Sequence, residues 1–265
     1  MEVVSSKQYR EKTKKAAEIL ESAGNNLDPE FKKKLEIDKK RGEVHRKIEA
    51  LTSSTANVFT PTAANDNSIA GYYDGESNIR EDVLDDPDFA SHVLIHEKLH
   101  GKAMTILSLR QYLPLEHTAA LARALEVEDI GKVDLVEGFT ELLTIKQDKK
   151  NQKCAYTSTV VPITEKLEEF AKEHLSESLS TPFLANNTAL FYYLLRKLTD
   201  RLILEQCIND MARRGINPRE LKELVAKQQE RGHITVKDRQ DANKVLMKIW
   251  NEDQEIANTR TALAA

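Results

Sequence analysis

The chain has 265 residues, of which 40% are hydrophobic and 31% are charged, and 39 basic against 43 acidic side chains give a net charge of −4. This charge argues against a surface built to neutralise nucleic-acid phosphates, and no apolar run approaches the roughly 18 residues of a membrane-spanning helix. Two cysteines are too few for a disulfide scaffold, and the first residues lack the apolar segment of a secretory signal. We therefore expect a cytoplasmic protein with neither a nucleic-acid nor a membrane partner, built mostly of long helices because glycine is scarce.

Two polar helices are predicted for residues 1–52. The first ends where Gly24 and the two asparagines after it interrupt the helical pattern. The second begins at Asp28 and Pro29, because aspartate is a preferred N-cap and proline fits the first helical position. We expect these helices to form an amphipathic hairpin that lies on the main body.

Residues 52–81 are rich in Ser, Thr, Asn and Gly and carry short apolar pieces around Val58, Ile69 and Ile79. A turn signal, Asp74 followed by Gly75, lies between two of these pieces. Since this is the main strand-like part of the sequence, we expect a small antiparallel sheet of two to four short strands.

Helices are predicted for most of the remaining chain. Asp86 and Pro87 begin one by the same capping logic, and it continues to about Met104. Further helices are expected at about 115–126, 133–147, 160–176, 185–213, 218–231 and 238–260. The predicted fold class is α+β and predominantly helical, with the small sheet packed on the helix that begins at Pro87. The expected domains are an N-terminal hairpin at 1–52, a core at 53–180 and a C-terminal helical region at 181–265.

His96, Glu97 and His100 form an H-E-x-x-H sequence within the helix that follows the sheet. Residues four apart lie on one helical face, so both imidazoles can reach one tetrahedral Zn²⁺ ion at about 2.0–2.1 Å. Glu97 can project beside the metal without binding it, where it can accept the proton of a metal-bound water. Gly101 follows the motif directly and leaves room at the site. The sequence therefore predicts a zinc centre.

A catalytic zinc ion needs a third protein ligand. The metzincin pattern requires Gly and His where this chain has Ala103 and Ile106, so that solution is excluded. Glu137 and Glu141 are four apart on one face of a later helix. One of them can bind zinc while the other accepts the free ring N–H of a zinc-bound histidine.

Together these elements resemble the gluzincins, zinc metallopeptidases with a thermolysin-like catalytic core. The matching residues are His96, Glu97 and His100, together with the segment from Glu137 to Glu141, which is similar to the E-G-x-T-E element of small bacterial gluzincins. The resemblance implies that His96, His100 and Glu137 bind zinc. It also implies that Glu97 is the general base and that Glu141 supports a zinc-bound histidine.

The resemblance covers about residues 56–175. It also implies where a peptide substrate would bind. Gluzincin substrates commonly lie along an edge strand, which is a form of β-augmentation. The resemblance implies that Ile69–Tyr73 or Ser77–Arg80 is that strand in this chain.

An oxyanion formed during peptide hydrolysis usually needs an extra hydrogen-bond donor. Tyr156 is the predicted catalytic donor, because it follows the Glu137 helix and could return to the cleft, and Tyr192 and Tyr193 are alternatives. Two further histidines are considered. His92, one turn before His96, could touch the cleft or a substrate, but it is expected to be satisfied or to face solvent. His45 is expected at the surface because its surroundings in the sequence are polar.

These observations favour a zinc metalloprotease, an endopeptidase, acting on a peptide or protein substrate. One alternative is a catalytically silent metal-binding or interaction protein of the same fold, with a protein partner on the N- or C-terminal helices. Another is a helical scaffold in which the H-E-x-x-H sequence is coincidental. Because an unrestrained cytoplasmic protease would be hazardous, we expect narrow specificity or a gate formed by the terminal helices.

Overall fold

The computed structural model describes residues 2–61, 69–148 and 160–213, together with isolated positions 219, 222, 223, 226, 227 and 240. This part of the chain is 72% helical and contains a four-stranded mixed sheet. The α+β, predominantly helical fold class is therefore confirmed. The helices expected at 218–231 and 238–260 lie largely outside the described residues.

Nine α-helices and four strands form the described part of the chain. In chain order they are β1 (Glu2–Val4), α1 (Ser6–Ala23), α2 (Pro29–Thr52), β2 (Ala56–Thr60), β3 (Gly71–Tyr73), β4 (Ser77–Arg80), α3 (Pro87–His100), α4 (Leu109–Tyr112), α5 (Leu115–Leu125), α6 (Leu135–Gln147), α7 (Val160–Leu175), α8 (Ser180–Leu184) and α9 (Thr188–Arg213). Short 3-10 helices occupy Glu81–Asp85 and Ile130–Lys132. Among the described helices, none is both long and apolar enough to cross a membrane.

The chain divides into two compact units. The first unit consists of Met1–Leu107, Asp134–Glu165 and Ser180–Asn187. The second unit consists of Ser108–Val133, Lys166–Leu179 and Thr188–Ala265. The division at 1–52, 53–180 and 181–265 stays a prediction.

The sheet of the first unit has the strand order β1-β2-β4-β3. The outer pairs β1/β2 and β3/β4 are antiparallel, whereas β2 and β4 are parallel, with Val58 opposite Ile79. The expectation of a purely antiparallel sheet was therefore wrong. Parallel strands need a crossover connection of a dozen or more residues, and residues 61–76, which include β3, supply it. The strand composition of the sequence carries no information about this order.

The sequence-predicted caps begin the helices of the first unit. The Asp28 carboxylate accepts the backbone N–H groups of Glu30 and Phe31 at 3.0 and 3.1 Å, with Pro29 at the first helical position. Asp86 caps α3 in the same way. Both predicted helix starts are confirmed, as is the interruption after α1, whose C-cap is Gly24.

A single buried cluster joins α1, α2, the sheet and α3. Its members are Tyr9, Val44, Ile48, Ala56, Val58, Ile79, Val83, Leu84, Ala90, Val93 and Leu94. Removing this apolar surface from water stabilises the unit by roughly 25 cal/mol per Å². The cluster holds α3 firmly against the sheet, so that the face of α3 with the H-E-x-x-H residues is presented in a defined orientation.

The described residues of the second unit form helices and connecting turns, with no strand among them. Helix α5 packs on α9, where the side-chain amide of Gln206 donates to the carbonyl of Ala120 at 3.2 Å. A buried histidine, His117, is 2.8 Å from the carboxylate of Asp200 through its Nε2 atom.

Candidate metal centre

Three side chains of the first unit that could bind a metal ion converge where α3 lies beside α6. His96 and His100 are one turn apart on α3, and Glu137 lies in the first turn of α6. The N-cap Asp134 sets the start of α6, because its carboxylate accepts the backbone N–H of Glu137 at 3.2 Å. The donor atoms of His96, His100 and Glu137 form a group that could hold a metal ion.

The dimensions of this group suit a tetrahedral ion. The Nε2 of His96 is 3.0 Å from the Nε2 of His100 and 3.0 Å from the Oε2 of Glu137. The Nε2 of His100 is 3.2 Å from the Oε1 of Glu137. Ligands about 2.0–2.1 Å from a tetrahedral centre lie about 3.3 Å apart. The three side chains are therefore arranged closely enough to bind one ion with only a small adjustment.

The proton positions also favour a cation between these atoms. The Nδ1 of His96 is 2.7 Å from the Oε2 of Glu141, and a carboxylate can only accept, so the Nδ1–H donates. In a neutral ring the Nε2 then carries a lone pair and would face the Glu137 carboxylate, another acceptor. A proton or a metal ion on Nε2 removes this conflict, and metal binding would displace the proton.

The pKa values of His96 and Glu137 are also consistent with a cation between these side chains. Burial alone would lower the pKa of His96, but its hydrogen bonds with Glu137 and Glu141 and the charge of Glu97 raise it to about 9. Burial would raise the pKa of Glu137, yet the neighbouring His100 and His96 lower it to about 2. The carboxylate of Glu137 is thus kept ionised, as a metal ligand must be.

Glu97 lies next to the triad without belonging to it. Burial raises the pKa of Glu97 to about 7, although the neighbouring His96 and His100 act in the opposite direction. The residue is 7% exposed, because strand β3 covers it: a Cβ added at Gly71 would lie 3.0 Å from the Cγ of Glu97. A carboxylate with a pKa near neutrality is well matched to general-base chemistry.

Strand β3 packs along the face of α3 that carries Val93, Glu97 and Gly101. A Cβ at Gly71 would lie 2.6 Å from the Cγ1 of Val93, and a Cβ at Gly101 would lie 2.8 Å from the ring of Tyr73. Val93 and Gly101 stand one turn before and one turn after Glu97. The space that Gly101 leaves open is thus filled by Tyr73.

Of the two expected substrate strands, only one is at an edge of the described sheet. Strand β3 is the outermost strand, whereas β4 pairs with β2 on one side and with β3 on the other. Ser77–Arg80 therefore has no backbone edge for a peptide, and this alternative was wrong. Gly71–Tyr73 keeps an edge beside Glu97.

His92 is a member of the site that sequence reasoning missed. It is 2% exposed, and its Nε2 donates to the Oε1 of Glu141 at 2.7 Å. Beyond it the Oδ2 of Asp148, the C-cap residue of α6, is 3.6 Å from the Nδ1 of His92. The available signal was the row of His92, His96 and His100 at intervals of four residues, which places all three on one helical face.

Two of the three tyrosines that were considered as oxyanion donors belong to the described residues. Tyr156 lies outside the described residues. Tyr192 and Tyr193 belong to the second unit, where the Tyr192 hydroxyl accepts the backbone N–H of Ser108 at 2.8 Å.

The side chain of Lys98, within the H-E-x-x-H sequence, donates to the Thr52 carbonyl at the end of α2, as basic groups commonly do at helix C-termini.

Comparisons of the chain with protein-family models, with curated proteins and with solved structures find no match. The class of this protein must therefore be argued from the site itself. That site is a His-His-Glu group that could hold a metal ion.

Proposed function

We propose that this chain is a zinc-dependent metallopeptidase of the gluzincin type, an endopeptidase. The observation that carries the proposal is the placement of Glu97, buried beside a His96, His100 and Glu137 group whose donor atoms are 3.0–3.2 Å apart. Two neutral imidazoles and one carboxylate are a ligand set found in catalytic zinc sites of hydrolases, with the fourth position left for water.

Each residue of the site would have its own role in peptide hydrolysis. A bound zinc ion would polarise the scissile carbonyl and lower the pKa of a water molecule toward about 7. Glu97 accepts the proton of the attacking water and delivers it to the leaving amine, a role for which its pKa of about 7 is suited. Glu141 accepts the Nδ1–H of His96, which would keep Nε2 available to hold the ion.

Strand β3 supports a peptide substrate in preference to a small molecule. Its outer edge is open among the described strands and runs beside Glu97. An extended peptide paired with Gly71–Tyr73 would place its backbone carbonyls along the row of α3 that carries the general base.

The proposal is tested by zinc analysis and peptide cleavage on the full chain. We expect close to one zinc ion per wild-type chain and cleavage of some members of a broad peptide library. The Glu97→Gln variant should retain zinc and lose cleavage, whereas Glu128→Gln, the same change at an exposed carboxylate of the second unit, should behave as wild type. Zinc without any cleavage would favour the silent metal-binding protein, and far less than one zinc ion per chain would overturn the proposal.

A further inference from the structure

The Glu141 carboxylate is bound by two imidazoles at once, one on each oxygen. His96 donates through Nδ1 to Oε2, and His92 donates through Nε2 to Oε1, each at 2.7 Å. Glu141 and His92 are both 2% exposed, so water does not supply these bonds. Since a carboxylate offers no proton, the contact with His92 also requires the Nε2–H form of that ring.

Two anchored oxygens restrict the carboxylate more than one does. The terminal torsion of a glutamate side chain is broad and only weakly directed by its own covalent structure. A hydrogen bond to His96 alone would restrain only one oxygen of the carboxylate, and a second bond to the other oxygen fixes the carboxylate plane. The contact with His92 supplies that second bond.

The series of contacts from His96 through Glu141 to His92 continues to Asp148. The Oδ2 of Asp148 is 3.6 Å from the Nδ1 of His92, so an acidic group also faces the far side of the ring. Asp148 lies at the end of α6 and His92 near the middle of α3, so this approach also lies between the two helices that carry the candidate ligands.

We propose that His92 is a positioning residue that sets the metal affinity of the site by holding Glu141, and through it the ring of His96. This assignment rests on the metal centre of the proposed function and extends the H-E-x-x-H sequence by one turn toward the N-terminus. His92 does not touch the ion or the substrate. Its contribution is to keep the Nε2 of His96 aimed at the position between His100 and Glu137.

The test is the zinc dissociation constant of the full chain, measured by competition with a chromophoric chelator. His92→Phe fills the space without a donor and should weaken zinc binding by about 10–100-fold, the range of losses known for partners of metal ligands. His92→Gln places an amide N–H close to the position of Nε2 and should bind zinc within a few-fold of wild type. His117→Gln is the matched control, because His117 is also buried against a carboxylate but in the second unit.

A second readout separates positioning from a general loss of structure. In the cobalt-substituted protein the ligand-field absorption bands should shift in His92→Phe and stay unchanged in His117→Gln. Should His92→Phe not fold, His92→Asn serves instead, because its shorter amide does not reach Glu141, and it should show the same weakening. Wild-type affinity in every His92 variant overturns this assignment alone. A wild-type chain that binds no zinc overturns the proposed function and this assignment together.

Discussion

His96 and Glu141 are joined at 2.7 Å from the ring Nδ1 to the carboxylate Oε2, although 45 residues separate them in the chain. The bond makes Nδ1 the protonated nitrogen, which leaves Nε2 available to bind a metal ion. The same glutamate therefore determines both the tautomer and the orientation of the ring. The candidate site depends on α6 for this support as well as for the candidate ligand Glu137.

The two glutamates of α6 are expected to differ in their importance for zinc. Glu137→Ala removes a proposed ligand and should abolish most zinc binding, whereas Glu141→Ala removes only support and should weaken binding about 10–100-fold. Zinc content and affinity of the purified variants provide the measurement, with Glu128→Ala as the exposed control. Equal zinc content in Glu137→Ala and wild type would show that the third ligand is another residue.

Gly71 is required for the close approach of β3 to α3. A Cβ at this position would lie 2.6 Å from the Cγ1 of Val93 and 3.0 Å from the backbone oxygen of Asn78. Gly71→Ala should therefore reduce the free energy of unfolding by about 1–3 kcal/mol, as overpacking usually does. Chemical denaturation measures this change.

The double variant Gly71→Ala, Val93→Ala tests whether the loss of stability in Gly71→Ala comes from the contact with Val93. Removing the Val93 methyl groups relieves the closest contact, so the two changes should destabilise less together than the sum of their separate effects. Strict additivity would mean that the loss in Gly71→Ala does not come from its contact with Val93.

Asp86 determines where α3 begins. Its Oδ1 accepts the backbone N–H groups of Asp88 and Phe89 at 3.2 and 3.1 Å. Asp86→Ala should lower the free energy of unfolding by about 0.5–2 kcal/mol, while Asp86→Asn keeps a capping oxygen and should stay close to wild type. If both variants unfold like wild type, the cap does not contribute to stability.

His45 should make folding stability depend on pH. Its side chain is 0% exposed, and its Nε2 donates to the Ala56 carbonyl at 2.7 Å. Burial lowers the pKa of His45 below 6.5, although the bond to Ala56 and the charge of Glu49 act in the opposite direction, and the charges of Arg10 and Arg46 reinforce the lowering. Below about pH 6.5 the unfolded chain therefore binds a proton that the folded chain resists, so stability falls as the pH decreases and is fully present above 6.5.

The pH effect is measured as the difference between wild type and His45→Gln, whose amide can still donate to Ala56. Between about pH 7 and pH 5 the free energy of unfolding should fall more steeply for wild type than for the variant. Parallel pH curves for the two proteins would show that His45 is not responsible. The expectation that His45 lies at the surface was wrong. Tyr9 of α1 covers the His45 ring, and the centres of the two rings are 5.2 Å apart.

The sequence alone determined the features that depend on near neighbours. Asp28 and Asp86 begin helices because a cap and a following proline act within one turn. The spacing of His96 and His100 places both on one helical face for the same local reason. Glu137 and Glu141 were recognisable as candidates through their own spacing, but the sequence left open which would face the histidines.

Tertiary structure decided what depends on residues that are distant in the chain. The parallel pairing of β2 with β4 joins residues that are distant in the chain, such as Val58 and Ile79. The approach of α6 to α3 brings Glu137 to the two imidazoles and surrounds Glu141 with His92 and His96. Burial of His45 and Glu97 likewise depends on elements packed over them, and burial, more than residue type, is the main cause of their altered pKa values.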